Sequence, residues 1–322
     1  MDKNSKIAKL DENIDANYFF MNDIMHCFNS NARKTASYKY AFFKSILDNL
    51  FNANLETDGY YYLPFSYLSF TFSKIYWNLS SKHNIPLIQN GKKSLMVEEY
   101  NSLKDNPKYK VEGVDFDVLN DEVKEIYLKN TKSLITKDVL YALYSDFNGR
   151  IYGYDKDKKF IYFSKNSYEF LINYKDVLEK IDYYAWIKWT ENILDLAHSS
   201  ISNLSRKLDE APERKALDKF KKELLDKGDE YVCFYCGKPL LYEKMHLDHF
   251  IPWSFVKDNQ PWNFVFACSH CNESKNDRIP DKKYLHKLFK RNEKLFAKSY
   301  EDNLNKSYDA ALHNGFVKWD KK

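Results

Sequence analysis

Four cysteines in two Cys-x-x-Cys pairs, Cys233/Cys236 and Cys268/Cys271, constrain this 322-residue chain more than any other feature. Each pair can form a knuckle that places two sulfurs on one ion at about 2.3 Å, and two knuckles close a tetrahedron. The fifth cysteine, Cys27, stands alone and reads as a small core residue. Two matched pairs favour a metal over a redox dithiol. Four thiolates leave no open coordination position, so Zn²⁺ here is a structural staple rather than a catalyst. Gly237 follows the first pair directly, where a tight turn calls for positive φ. The pairs are separated by 31 residues, 237 to 267, longer than ordinary ribbon spacing. Something is therefore inserted between the knuckles.

The insert reads Met245-His246-Leu247-Asp248-His249-Phe250-Ile251-Pro252-Trp253-Ser254. A strand pattern ends at Pro252, which cannot donate to a ladder, so Asp248 and His249 sit where a strand enters a loop. Asn263 lies in a second apolar strand, Trp262 to Phe266. Asn272 and Lys275 follow the last cysteine at i, i+3, which puts both on one face of a helix. A near-neutral imidazole can take a proton from water at cellular pH. A carboxylate and a carboxamide oxygen make a hard site that suits Mg²⁺ or Mn²⁺. Taken singly, Asp248 reads as a turn cap and His249 as a core imidazole. Together, in this order and between knuckles, they favour catalysis.

These residues resemble the HNH endonuclease motif of the ββα-metal fold, in its four-cysteine zinc variant, common among restriction and phage-defence nucleases. The resemblance rests on Asp248-His249-x-Ile251-Pro252, Asn263, and Cys268-x-x-Cys271-Asn272-x-x-Lys275, about 50 of the 322 residues. It implies that His249 is the general base and that Asp248 and Asn272 hold one catalytic Mg²⁺ or Mn²⁺. Asn263 then braces the loop carrying the histidine. The third motif letter is Asn272 rather than His, an H-N-N variant. Cleavage to a 5′-phosphate and a 3′-hydroxyl is implied by the resemblance alone. Lys275, His246 and Arg278 are candidate substrate contacts. For Lys275 a solvated helix lysine is an equal alternative.

The rest of the chain is read from periodicity. Only 8 glycines and 8 prolines, with 17% aromatic residues, favour long helices over an all-β fold. The expected class is α+β, mainly α, with a large helical amino-terminal domain, a small hairpin and a carboxy-terminal zinc-bound ββα-metal module. The expected divisions are 1–205 as a helical scaffold or recognition domain, 206–230 as a charged bridge, 231–285 as the nuclease module, and 286–322 as a basic helix and short tail. Phe43, Ile46, Leu47, Leu50 and Phe51 mark one helix, with Thr35 or Ser37 as its cap. Further helices are expected after Pro64, over 121–129 and 137–144, and from Tyr168 to about Ser200. Ile151–Tyr154 and Phe160–Phe163 flank a charged turn as a hairpin. The order helix, helix, strand, turn, strand fits either a winged helix or an ordinary α+β scaffold.

Charge is uneven. Residues 231–322 hold 16 Lys and Arg against 11 Asp and Glu, while the remainder is close to balanced. The basic excess of the cysteine-bearing module fits either an anionic partner or a solvated surface; nucleic acid, and DNA in particular, is the substrate that the family resemblance implies. The start lacks a secretory pattern, and no apolar window is long enough to span a membrane. The expected compartment is the cytoplasm, where thiols stay reduced. A homodimer or a defence-system partner protein is also expected. Two other functions remain open: a nucleic-acid-binding zinc module without turnover, and an RNase or toxin-like effector.

Overall fold

The computed structural model describes residues 5–6, 16–28, 37–83, 85, 87–89, 92–194 and 217–320. Thr35 lies outside them, as do residues 195–216, which include the end of the helix expected to reach Ser200 and the start of the expected bridge. The chain divides into two compact units, residues 1–215 and 216–322.

In the first unit, β1 (Ser5–Lys6), α1 (Ala16–Phe28), α2 (Tyr38–Asn49), β2 (Asn54–Leu55), β3 (Tyr61–Pro64) and α3 (Phe65–Ser81) come first. They are followed by β4 (Ile88–Gln89), β5 (Lys92–Lys93), α4 (Leu95–Asp105) and α5 (Asp121–Leu134). A π-helical turn, Ile135–Val139, leads into α6 (Leu140–Asp146). β6 (Gly153–Asp155), β7 (Phe160–Phe163), α7 (Lys165–Asn173) and α8 (Lys175–Leu194) complete the unit. The hairpin β6–β7 does not stand alone as a wing. It joins a five-stranded sheet in the order β1-β6-β7-β3-β2, with antiparallel pairs throughout. The unit is thus an α+β scaffold.

Aromatic residues fill its core. Tyr61 and Tyr168 stack at 3.8 Å, and Tyr40 stacks on Trp186 at 5.7 Å. Buried tyrosines reach backbone acceptors: the Tyr168 hydroxyl donates to Leu50 O at 2.9 Å and that of Tyr152 to Leu140 O at 2.7 Å. Such rings bring large apolar area into a core, and at Tyr168 and Tyr152 the polar end is satisfied there.

Three local expectations change. Ser37 holds the N-cap position of α2, as one of the two expected, but its side chain makes no capping hydrogen bond and its hydroxyl instead meets the Tyr76 hydroxyl at 2.6 Å in the core. The helices expected over 121–129 and 137–144 are one continuous helical run from α5 through the π turn to α6. The helix expected from Tyr168 breaks at Tyr174 (φ −106°, ψ 11°). The break lets α7 pack on α1 and α8 on α2.

Between α2 and α8 lies a buried ionic network. Lys44 sits 3.0 Å from Asp48 and 3.6 Å from Glu179, and Lys175 sits 3.0 Å from Glu179. Burial works against the charge on Lys44, but Asp48, Tyr183 and Glu179 more than offset it and raise its pKa. Burial also lifts Asp48, up to about 6, against the pull of Lys44. The network therefore holds its protons tightly.

The second unit runs α9 (Leu217–Asp226), β8 (His246–His249), α10 (Trp253–Val256), β9 (Phe264–Ala267), α11 (Ser269–Lys275), β10 (Ile279–Pro280), α12 (Lys282–Phe296), α13 (Glu301–His313) and β11 (Lys318–Trp319). β8 and β9 pair antiparallel, with Asp248 opposite Val265 and His249 opposite Phe264, and α11 packs on β8. That is a strand, strand, helix unit. Leu224, Met245, Phe264, Phe266 and Leu295 form its apolar core. Helix α9, expected as part of a bridge, supplies Leu224 to that core. The expected short tail is instead structured. β11 pairs in parallel with β10, and the Tyr308 hydroxyl of α13 donates to Pro280 O at 2.7 Å. The buried face of α13 includes Ser307, Ala310 and Ala311, small residues that leave little apolar periodicity to read.

Candidate active site

The two knuckles converge. The Sγ atoms of Cys233, Cys236, Cys268 and Cys271 all lie within 4.8 Å of one another, and Cys236 and Cys268 are 3.9 Å apart. Tetrahedral Zn–S bonds of about 2.3 Å require S···S separations of about 3.8 Å, so the four thiols suit zinc. Gly237 takes φ +72°, the left-handed value its turn requires. Its N–H donates to Cys233 O, and the Cys233 N–H donates to Lys238 O, both at 2.8 Å. The second knuckle opens a helix: Cys268 is the N-cap of α11 and Cys271 lies in its first turns. Burial raises the pKa of the Cys233 and Cys271 thiols. At Cys236 burial is outweighed by the Lys238 backbone N–H and the neighbouring thiols, and its pKa falls to about 7. A bound cation would favour all four thiolates.

The zinc-side loop also touches the insert. Tyr235, inside the first knuckle, donates its hydroxyl to Asp248 Oδ2 at 2.6 Å. Lys275 Nζ lies 3.2 Å from Asp248 Oδ1 and donates to His249 O at 2.8 Å. Lys275 is fully buried. The sequence offered it as a phosphate contact or a solvated lysine; it is neither, because its ammonium is spent inside the module. Burial and the Asp248 charge push the Tyr235 pKa well above the ordinary tyrosine value, which keeps the phenol protonated as a donor.

Asp248 and His249 are consecutive in β8 and so face opposite sides of the hairpin. Asp248 looks toward α11 and Tyr235. The His249 ring lies 4.4 Å from that of Phe264, its cross-strand partner, and Nε2 meets Asn259 Oδ1 at 2.9 Å. Only 3% of His249 and 7% of Asp248 is exposed. Asn263 is buried and binds the loop after His249 at two points. The Ile251 N–H donates to Asn263 Oδ1 at 2.8 Å, and Asn263 Nδ2 donates to Ile251 O at 3.0 Å. Asn272 is half-buried on α11, one turn before Lys275.

The remaining candidates are peripheral. His246 is exposed at the start of β8. Arg278 is exposed, and its guanidinium donates to the Ser274 and Lys275 carbonyls at the end of α11. Tyr235 and Asn259 were missed by sequence reasoning. No spacing rule points to either, since both meet their partners through space.

Residues 233–281 match the HNH endonuclease family. The match runs from the first knuckle to Asp281, the N-cap of α12. This HNH module accordingly comprises the four-thiol cluster, the β8–β9 hairpin and α11. No curated protein and no solved structure matches the chain. No described helix is long and apolar enough to cross a membrane.

Proposed function

We propose that the chain is a metal-dependent DNA endonuclease of restriction or antiviral defence, with its chemistry at Asp248, His249 and Asn272. The observation that carries this reading is the HNH match across residues 233–281, whose four thiols converge and whose first knuckle reaches Asp248 through Tyr235. Asp248 and Asn272 offer only oxygen donors, on a strand and the helix packed against it, and that donor set fits Mg²⁺ or Mn²⁺. When bound there, such an ion supplies charge neutralisation at the phosphate and leaving oxygen.

His249 is the general base. With the Asn259 carbonyl oxygen accepting from Nε2, the neutral ring keeps Nδ1 as its basic nitrogen. Asn263 fixes the loop that follows, so the imidazole is held rather than searching. Lys275 and Tyr235 position the Asp248 carboxylate. The zinc cluster holds the Tyr235 loop and the start of α11 in register. The excess of basic residues in 231–322 supports an anionic substrate.

The test is a side-by-side incubation of duplex DNA, single-stranded DNA and RNA with Mg²⁺, with Mn²⁺ and without divalent ions. Cleavage of DNA that needs the ion supports the reading. Binding without cleavage in every ion, or cleavage of RNA alone, contradicts it.

A further inference from the structure

The first unit contains a cavity of about 950 Å³ lined by five lysines. Lys132 and Lys137 come from the α5 and π-turn run, and Lys156, Lys158 and Lys159 come from the β6–β7 turn. No carboxylate lines it. The turn carries two acids, neither of them in the lining: Asp157 is exposed, and Asp155 directs Oδ1 to the Asp157 and Lys158 backbone N–H groups at 3.0 Å each. None of the five ammonium groups has a carboxylate partner among the described residues; Lys156 instead lies over the Tyr154 ring at 5.9 Å. Several like charges around one concavity repel each other unless an anion offsets them, and low-dielectric walls focus their field.

Two further features point the same way. The N-terminus of α3, a helix of 17 residues, forms part of the wall through Pro64, Phe65 and Ser66, and no side chain caps it. A helix N-terminus carries partial positive charge. Ser66, Ser133 and Thr136 add hydroxyls to the lining. The chemistry is therefore cationic, hydrogen-bonding and partly apolar. The volume is that of a small-molecule site, near the top of the range of about 300–1,000 Å³.

We propose that this cavity binds the phosphate groups of a nucleotide or of a short stretch of single-stranded nucleic acid. The lysines neutralise phosphates as point charges, while Phe65 and Pro64 offer an apolar surface beside them. The proposal does not depend on the nuclease reading, because it concerns binding by the first unit.

Binding is measured on the full chain without divalent ions, using labelled nucleoside triphosphate and a labelled single-stranded 12-mer in separate arms. Lys132→Gln/Lys158→Gln is compared with wild type and with Lys92→Gln/Lys93→Gln, which removes two exposed lysines elsewhere in the unit. The expected result is binding in at least one arm, weakened about 10-fold or more by the cavity variant and not by the control. In the oligonucleotide arm, the slope of log affinity against log salt should fall by about 1.4, the value for two lost phosphate contacts on a single strand. Adenosine, which lacks phosphate, should not compete. Both cavity lysines are exposed, so the variant should keep the wild-type melting temperature. If neither probe binds, or if binding is the same in wild type and the cavity variant, the proposal is wrong. Which arm responds identifies the source of the phosphate.

Discussion

Asp248 is a buried carboxylate of the HNH module. Its two carboxylate oxygens are engaged from opposite sides, by a phenol that the first zinc knuckle carries and by a buried ammonium one turn beyond Asn272. Removing the ammonium leaves a buried carboxylate short of its counter-charge. Lys275→Met should therefore destabilise the second unit by about 3–5 kcal/mol, read as a fall in its denaturant midpoint. Asn263 gives a second residue-scale prediction. Asn263→Ala leaves the Ile251 N–H and C=O without partners in a buried loop, at about 1–3 kcal/mol for each unsatisfied group. Thermal unfolding checks it, and an unchanged midpoint would mean that the loop is held by other contacts. The cysteines, Asp248, His249 and Asn263 were legible because their order along the chain is itself the signal. Tyr235 and Asn259 were not, because a tyrosine beside a cysteine and an asparagine in a polar turn look the same whether or not they reach Asp248 and His249.

At the scale of elements, short-range patterning worked where one face is apolar and failed where polar groups decide. The hairpin β6–β7 and the helix after Pro64 follow from alternation and from an apolar run. The break at Tyr174 does not, because just beyond it the apolar Val177 and Tyr184 are exposed while Lys175 is fully buried at the start of α8 and paired with Glu179. The α2–α8 network carries a pH prediction. Asp48 has a folded pKa of about 6, above the ordinary unfolded value of about 3.9. Between these values the folded state binds more protons than the unfolded state. The stability associated with Asp48 is thus fully present below about pH 4 and is lost as pH rises through about 6. Chemical denaturation at pH 4 and pH 7 should show a larger fall for wild type than for Asp48→Asn. Equal falls would mean that Asp48 ionises normally in the core.

For the whole molecule, the division of labour lies between a zinc clamp and the residues it holds. The knuckles are the loudest sequence signal, but four sulfurs at these separations leave no place for substrate on the metal. Chelation under denaturing conditions should release about one zinc per chain, and stripping the metal should unfold the second unit. Elemental analysis of folded, zinc-free protein would contradict this. The reach of sequence reading was shortest at the carboxy terminus, where α13 and β11 close the second unit with Leu304, Tyr308 and Trp319 spaced among small and polar residues. It was also short in the first unit, whose lysine-lined cavity is assembled from three segments far apart in the chain.

The claim that His249 is the base of a phosphodiesterase is tested most directly by one comparison on supercoiled plasmid with Mg²⁺. Wild type and His249→Ala are incubated in parallel, with zinc content and cooperative unfolding verified for both. Wild type should nick or linearise the plasmid, and the variant should lose about 10²-fold or more of that activity, the usual contribution of a positioned base. Equal cleavage by a folded, zinc-loaded His249→Ala protein would contradict it.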